Sequence, residues 1–387
     1  MTLVIDDIGL LVTCDPTRGE GPLGLVRNAA LVTDGERVVA IEKAGAAADA
    51  RVSAEGRCVM PGFVDSHTHL VFAGDRSDEF ASRMAGTPYS AGGIMTTVAA
   101  TRAASTEDLG ELAVARRYAA LVSGTTHVEV KSGYGLDVEH EQRLCQLAAG
   151  LTDDVTFLGA HTIPTEYAGR GDAYVDLVCG EMLAACAPFA RWIDVFCEVG
   201  AFDVDQSRAV LRAGRAAGLE LRVHANQLGF GPGVQVAVEE GAASADHCTY
   251  LTDGDLDALA GSKTVATFLP ASDFSTRQQY VDARRVIDAG VTVAIASNCN
   301  PGSSYTSAMA FCIALAVRDM HMTVEEAVRA ATLGGAKALR RVDVGWLGPG
   351  SRADALILDA PTYVHLASRP GMALAHEVIS AGEPIVR

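Results

Sequence analysis

The chain has 387 residues, 49% of them hydrophobic and 20% charged, which suffices for a large core and leaves no segment polar enough to read as disordered. Its 48 acidic residues outweigh 31 basic ones for a net charge of −17, so it lacks the basic footprint of a nucleic-acid or anionic-membrane binder, although a local arginine can still hold an anionic substrate. Nine cysteines, odd in number and never spaced C-x-x-C, read as reduced thiols. With no signal-peptide pattern at the amino terminus and no apolar run of roughly 18 residues, a cytoplasmic protein is expected.

Residues 1–57 read as short strands joined by turns, at 3–5, 9–13, 29–33 and 37–42. From residue 58 the pattern changes to short β-rich apolar runs alternating with longer stretches of three-to-four spacing, the rhythm of βα units around a parallel sheet. Eight candidate strands fall at 58–65, 125–131, 155–160, 193–198, 219–224, 243–247, 264–269 and 291–296. Helical spacing runs through 106–122, 139–151, 174–187, 206–217 and 307–320. Residues 346–387 return to the style of the amino terminus, with strands expected at 355–358 and 376–380. Neither end is large enough for a core of its own, so residues 1–57 and 346–387 are expected to form one composite β-domain. Residues 58–345 are expected to form a (β/α)₈ TIM-type barrel, although a doubly wound sheet has the same rhythm.

The polar residues favour the barrel, because they gather where the candidate strands end, as the reacting groups of barrel enzymes do. The first strand ends in Asp65-Ser66-His67-Thr68-His69, the second in Lys131-Ser132-Gly133-Tyr134, the third in His161 and the fourth in Glu198. The fifth ends in His224-Ala225-Asn226-Gln227, the sixth in Asp246-His247 and the eighth in Ser297-Asn298-Cys299-Asn300. His67 and His69 stand two apart on a strand, so both imidazoles face one way and can chelate one cation at about 2.0–2.1 Å per bond, with His224 as the third nitrogen. Taken alone, an H-x-H pair reads equally as a solvated strand end and His224 as a core histidine; their convergence after the buried run 59–64 favours ligands. Three nitrogens and an open position suit one divalent metal that lowers the pKa of a bound water toward about 7 and polarises a carbonyl.

His247 is a candidate proton carrier or carbonyl polariser, the alternative being a structural histidine hydrogen-bonded to Asp246. Arg76, one short loop beyond the metal pair, offers a bidentate fork for a substrate carboxylate, the alternative being a surface arginine. Tyr89, Tyr134 and His161 can line the same cavity; singly, each reads more readily as core or surface. The turn Asn300-Pro301-Gly302-Ser303-Ser304 offers backbone donors and a helix start for an anionic or carbonyl group, or is an ordinary serine-capped turn.

The run Pro61-Gly62-Phe63-Val64-Asp65-Ser66-His67-Thr68-His69 resembles the first metal motif of the amidohydrolase superfamily. Finer motifs resemble the imidazolonepropionase family: Leu70-Val71-Phe72-Ala73-Gly74-Asp75-Arg76, Glu129-Val130-Lys131-Ser132-Gly133-Tyr134-Gly135-Leu136, Gly159-Ala160-His161, Ser244-Ala245-Asp246-His247 and Asn300-Pro301-Gly302-Ser303. They span residues 58–340, and the termini resemble the family's composite β-domain. The resemblance implies hydrolysis of the cyclic amide of 4-imidazolone-5-propanoate to N-formimino-L-glutamate in histidine degradation, with zinc or iron held by His67, His69 and His224. It implies that Arg76 holds the propanoate and that Tyr89, Tyr134, His161, Gln227, Asn300, Gly302 and Ser303 surround the ring and product. It further implies that His247, with Gln227 and Asn298 in the catalytic group, assists the attack on the ring carbonyl, and that the chain forms a homodimer.

Asn298 departs from the family pattern, which has a metal-associated aspartate there. An amide is neutral and takes no proton from water, though its oxygen can coordinate or hydrogen-bond. Two other readings stay open on the residues: an amidohydrolase of another cyclic amide or aminated heterocycle, and a binding-competent homologue impaired by the loss of the aspartate.

Overall fold

In the computed structural model, which describes residues 1–43, 45, 47–87 and 93–385, the alternating apolar residues of both termini bury one face of a single sheet. Thr2–Val12 pairs antiparallel with Leu25–Asp34, which pairs in turn with Arg37–Lys43. Thr2–Val12 also runs parallel to Ala50–Ser53 and to Cys58–Pro61. Cys58–Pro61 pairs antiparallel with Ala355–Leu358, and the sheet continues through Ala375–Ser380 to Glu383–Pro384. Leu3, Ile5, Ile8, Leu11, Ala29, Leu31, Val59, Ile357 and Ile379 share one apolar cluster, as period-two alternation on a one-sided sheet requires. The strands expected at 3–5 and 9–13 are one strand: Asp7 takes φ 53° and the register shifts between Ile5 and Ile8, so the chain bends without leaving the ladder.

The chain divides into two units, Met1–Ser66 with Tyr118–His127 and Ala308–Arg387, and His67–Arg117 with Val128–Ser307. The first unit takes in more than residues 1–57 and 346–387. Gly62 interrupts the run expected at 58–65, so Cys58–Pro61 joins the mixed sheet while Phe63–Asp65 pairs with Thr125–Val128. The helices Met309–Asp319 and Val324–Arg329 belong to the same unit.

In the second unit seven strands lie side by side in chain order: Val130–Lys131, Val155–Ala160, Trp192–Cys197, Glu220–Ala225, Ser244–His247, Val265–Phe268 and Val293–Ile295. Every pairing is parallel, and the strands are buried almost throughout, which is why they read as continuous apolar runs rather than alternating ones. Side-chain caps at Asp137, Asp203 and Thr252 start the helices Val138–Ala149, Val204–Ala216 and Asp253–Ala260.

The two edges of this sheet meet at His67–His69. Lys131 N–H donates to the Thr68 carbonyl at 2.9 Å on one side; on the other, His69 N–H donates to Cys299 O at 2.9 Å and Asn298 N–H to His67 O at 3.0 Å. The fold is therefore a (β/α)₈ TIM-type barrel, accompanied by a separate mixed β-sheet. Among the described residues no helix is long and apolar enough to cross a membrane.

Candidate metal centre

Strand alternation turns His67 and His69 to the same side, while Thr68 between them donates its hydroxyl to the Glu129 carbonyl at 2.6 Å. His224, at the end of Glu220–Ala225, completes a buried triad whose ligand nitrogens all lie within 4.8 Å of one another. Nε2 of His67, Nδ1 of His69 and Nε2 of His224 have no hydrogen-bond partner. Burial, reinforced by neighbouring positive groups, holds the pKa of His67 and His69 well below the usual histidine value, so both rings are neutral with a lone pair to offer. Orphaned neutral imidazoles are costly in a protein interior, whereas they are what a divalent metal requires of its ligands. The residues fit the metal.

Beneath the triad lies a charged layer that holds the rings in place. His67 Nδ1 donates to Asp246 Oδ2 at 2.7 Å, which fixes the tautomer and leaves Nε2 as the free lone pair. His224 Nδ1 stands 3.0 Å from Asp194 Oδ2, an electrostatic contact rather than an aligned hydrogen bond. Lys131 Nζ reaches Glu129 at 2.8 Å and Asp194 at 2.9 Å, and Arg222 Nη2 reaches Asp246 at 3.0 Å. All five of these charged side chains are fully buried. Burial opposes ionisation of Asp246, but Arg222 and His67 outweigh it and hold the carboxyl well below the usual carboxylate range. In Asp194 burial is likewise overcome, by His224 and Lys131, and its pKa is depressed. Glu129 differs: burial prevails over Lys131 and Arg222, and its pKa is raised.

A cavity opens above the triad, lined by His69, His224, Arg76, Tyr134, His161, Gln227, His247, Asn298, Asn300 and Ser303, together with Ile94, Thr162, Phe196 and the segment Val199–Ala201. The sequence motifs do not point to these last residues, which are apolar or small and carry no signature. Tyr134 sits on a loop cradled by Glu141, whose buried carboxylate accepts N–H groups from Gly133, Gly135 and Leu136. His161 donates Nδ1–H to the Gly133 carbonyl at 3.0 Å and stacks on His69, and burial pushes its pKa down to about 3. His247 is buried with its pKa well below normal for the same reason, and its Nδ1 has no hydrogen-bond partner. Asp246 binds His67, so the alternative of a structural His247–Asp246 hydrogen bond does not describe this site. Glu198 does not line the cavity: it accepts N–H groups from Val199 and Leu228, both at 2.9 Å.

Arg76 is no surface arginine. Its guanidinium is buried and paired through Nε and Nη2 with Glu79. Nor is it the sole cation nearby, since buried Arg83 donates to the Gly302 carbonyl at 2.7 Å. In the 300–304 turn the N–H groups of Gly302 and Ser303 both go to Asn300 Oδ1 at 2.8 Å, so those backbone donors serve the turn itself, and the next helix starts only at Met309. Gly302 lies outside the cavity wall and lines an adjoining recess with Arg76 and Arg83. Asn298 has φ 54°, in the left-handed region that asparagine tolerates, and its Nδ2 lies 3.4 Å from Ser303 Oγ. Tyr89 lies outside the described residues.

Imidazole ligands at the carboxyl ends of parallel barrel strands, under a polar cavity, define a metal-dependent hydrolase of the amidohydrolase class. Models described as "Amidohydrolase family" match residues 51–134 and 198–382. The fold is similar to that of atrazine chlorohydrolase from Arthrobacter aurescens complexed with zinc, at TM-score 0.74 and 18% identity, covering 100% of this chain and 95% of that one. The chain is 62% identical over 384 residues to an imidazolonepropionase of Mycolicibacterium smegmatis, covering 99% of this chain and 97% of that protein. It is 63% identical over 383 residues to one of Streptomyces coelicolor, covering 98% of each. The chain belongs to the imidazolonepropionase family, enzymes of the amidohydrolase class, and its histidine triad suits a divalent metal.

Proposed function

We propose that the chain hydrolyses 4-imidazolone-5-propanoate to N-formimino-L-glutamate, with zinc or iron bound by His67, His69 and His224. The observation that carries this reading is the placement of Arg76 in the wall of the same cavity as the triad, which gives an anionic side chain and a neutral ring separate places to bind. The metal, when bound, supplies an acidified water and a Lewis-acid contact for the ring carbonyl.

Arg76 holds the propanoate carboxylate. Tyr134, His161, Gln227, Asn300 and Ser303 enclose the ring, and Gly302 supports Arg76 from the adjoining recess; Tyr89, which is not among the described residues, is kept as a further substrate neighbour on the family resemblance alone. Water adds to the ring carbonyl carbon, the amide C–N bond breaks, the carbon stays on the chain as the new carboxylate and the departing nitrogen, protonated, becomes the formimino nitrogen. His247, neutral and buried at the cavity wall, accepts the proton of the attacking water and returns it to the departing nitrogen. Asn298 has no carboxylate with which to share that task; it orients groups by its amide beside Ser303 and is the fourth candidate neighbour of the metal. Gln227 stands with them at the cavity wall. We place the enzyme in the cytoplasm, as a homodimer.

The test is metal content and turnover measured on one purified preparation. One divalent ion per chain with chelator-sensitive hydrolysis of 4-imidazolone-5-propanoate is expected. Fully loaded protein that leaves this substrate untouched but opens another cyclic amide would overturn the assignment, and loaded protein that binds without turnover would make it the impaired homologue.

A further inference from the structure

The Arg76 guanidinium has five N–H groups, and the structure commits two of them. Nε donates to Glu79 Oε1 at 3.0 Å and Nη2 to Oε2 at 2.7 Å, a side-on bidentate pair. What remains for a ligand is the end-on edge formed by Nη1 and the second N–H of Nη2, itself a two-pronged fork of the width of a carboxylate. Arg76, Glu79 and Arg83 stand at i, i+3 and i+7 along Ser77–Met84 and its N-cap, on one face of the helix. Arg83 holds the Gly302 carbonyl at 2.7 Å, while Asn300 holds the Gly302 N–H at 2.8 Å. That fixed peptide is the floor under Arg76.

Two glycines make room for the pair. A Cβ on Gly302 would fall 2.1 Å from Arg76 Nη1 and 2.4 Å from Cζ, and one on Gly93 would fall 2.3 Å from Glu79 Oε2 and 2.4 Å from Arg76 Nη2. Neither position admits a side chain without displacing the guanidinium or its partner.

We infer that Glu79 is a positioning residue: it locks the side-on edge of Arg76, dedicates the end-on edge to the substrate carboxylate, and so sets the preference for a carboxylate over a neutral side chain. The inference rests on the assignment of Arg76 as the propanoate anchor. Glu79 does not compete for the same edge, and its charge in the first turn of the helix is favoured where it stands.

The experiment compares Glu79→Ala, Glu79→Gln and Gly93→Ala with the wild type. It reads kcat and KM for 4-imidazolone-5-propanoate, and binding of the unreactive probes imidazole-4-propanoate and its neutral propanamide. Glu79→Ala should raise KM by roughly tenfold, the scale of a lost charged contact, with kcat and metal content little changed. Affinity for the carboxylate probe should fall in parallel while affinity for the amide probe stays constant. Glu79→Gln keeps one acceptor and should restore part of the loss; Gly93→Ala should reproduce it by pushing the pair apart. A merely structural role would move both probes together. Wild-type turnover with unchanged or lowered KM in Glu79→Ala overturns the positioning role alone. A wild type that neither turns over the substrate nor binds the carboxylate probe overturns the anchor assignment, and this inference with it.

Discussion

Replacing Asp246 by asparagine keeps the size of the side chain but removes the charge that accepts the 2.7 Å bond from His67 Nδ1 and faces Arg222 Nη2 at 3.0 Å and Lys131 Nζ at 3.7 Å. Two effects follow, and they separate. His67 loses the partner that fixes its tautomer and raises its basicity; such supports are worth about 10- to 100-fold in metal affinity, or roughly 1.4–2.7 kcal/mol. Arg222 loses its nearest carboxylate inside the protein, where breaking a buried pair costs about 3–5 kcal/mol. Its attraction to Glu129 and Asp194 holds the loss below that figure. The assay is competition for metal against a chromophoric chelator, with thermal unfolding followed on metal-free and metal-loaded protein. Weaker metal binding and a less stable metal-free protein are expected together. Unchanged affinity in a folded Asp246→Asn protein would refute the reasoning that the buried layer governs the ligands.

Arg76→Ala or Arg76→Lys should lower kcat/KM roughly ten- to hundred-fold without loss of metal, the scale of one charged bidentate contact; equal kinetics in both would remove Arg76 from the anchor. Asn298→Asp should raise turnover at matched metal occupancy, since a positioned base contributes about 10²–10⁴; a variant no faster than the parent would show the carboxylate dispensable and make His247 the next residue to replace. Deleting residues 346–387 removes the strand Ala355–Leu358 from its pairing with Cys58–Pro61 and should give insoluble protein; a soluble product of undiminished thermal stability would contradict a single terminal β-domain. Asp273, buried beside Thr249, has its pKa raised by burial to about 8. The unfolded chain gives up this proton near pH 4 and the folded one only near 8, so stability falls as pH rises through that window, by at most on the order of 5 kcal/mol. Asp273→Asn should flatten the profile and stabilise most at pH 8; parallel profiles for the two proteins would be the contrary result.

The histidine triad was legible because strand geometry writes itself into sequence: His67 and His69 share a face by period two, and His224 falls at the same end of the fifth βα unit, across the barrel. The βα rhythm pointed to a parallel sheet, the polar residues gathered at the strand ends favoured the barrel over a doubly wound sheet, and the short alternating runs at both ends pointed to the mixed sheet. The layer beneath the ligands was not legible. Asp246 meets His67 across 179 positions and Lys131 meets Asp194 across 63, and no local spacing encodes a cross-barrel pair. Composition also misleads here, since Lys131 and Arg222 belong to residue types expected at the surface yet are fully buried. Glu79 went unseen for a different reason. An i, i+3 acid–base pair on a short helix is common, and what distinguishes this one is that it packs against Gly93 and Gly302, where a Cβ would collide with it.

The segment His67–His69 fastens both edges of the parallel sheet and carries two of the three rings of the histidine triad. An ion held by the triad would therefore double as the clasp of a seam. A ligand that binds the closed sheet and not the opened one adds RT ln(1 + [L]/Kd) to closure, roughly 2.7 kcal/mol at a hundred times Kd. Metal loading is then expected to lower the frequency with which the seam opens. Hydrogen exchange at the amides of His69 and Asn298, which carry the bonds of that seam, is then expected to slow as metal is loaded.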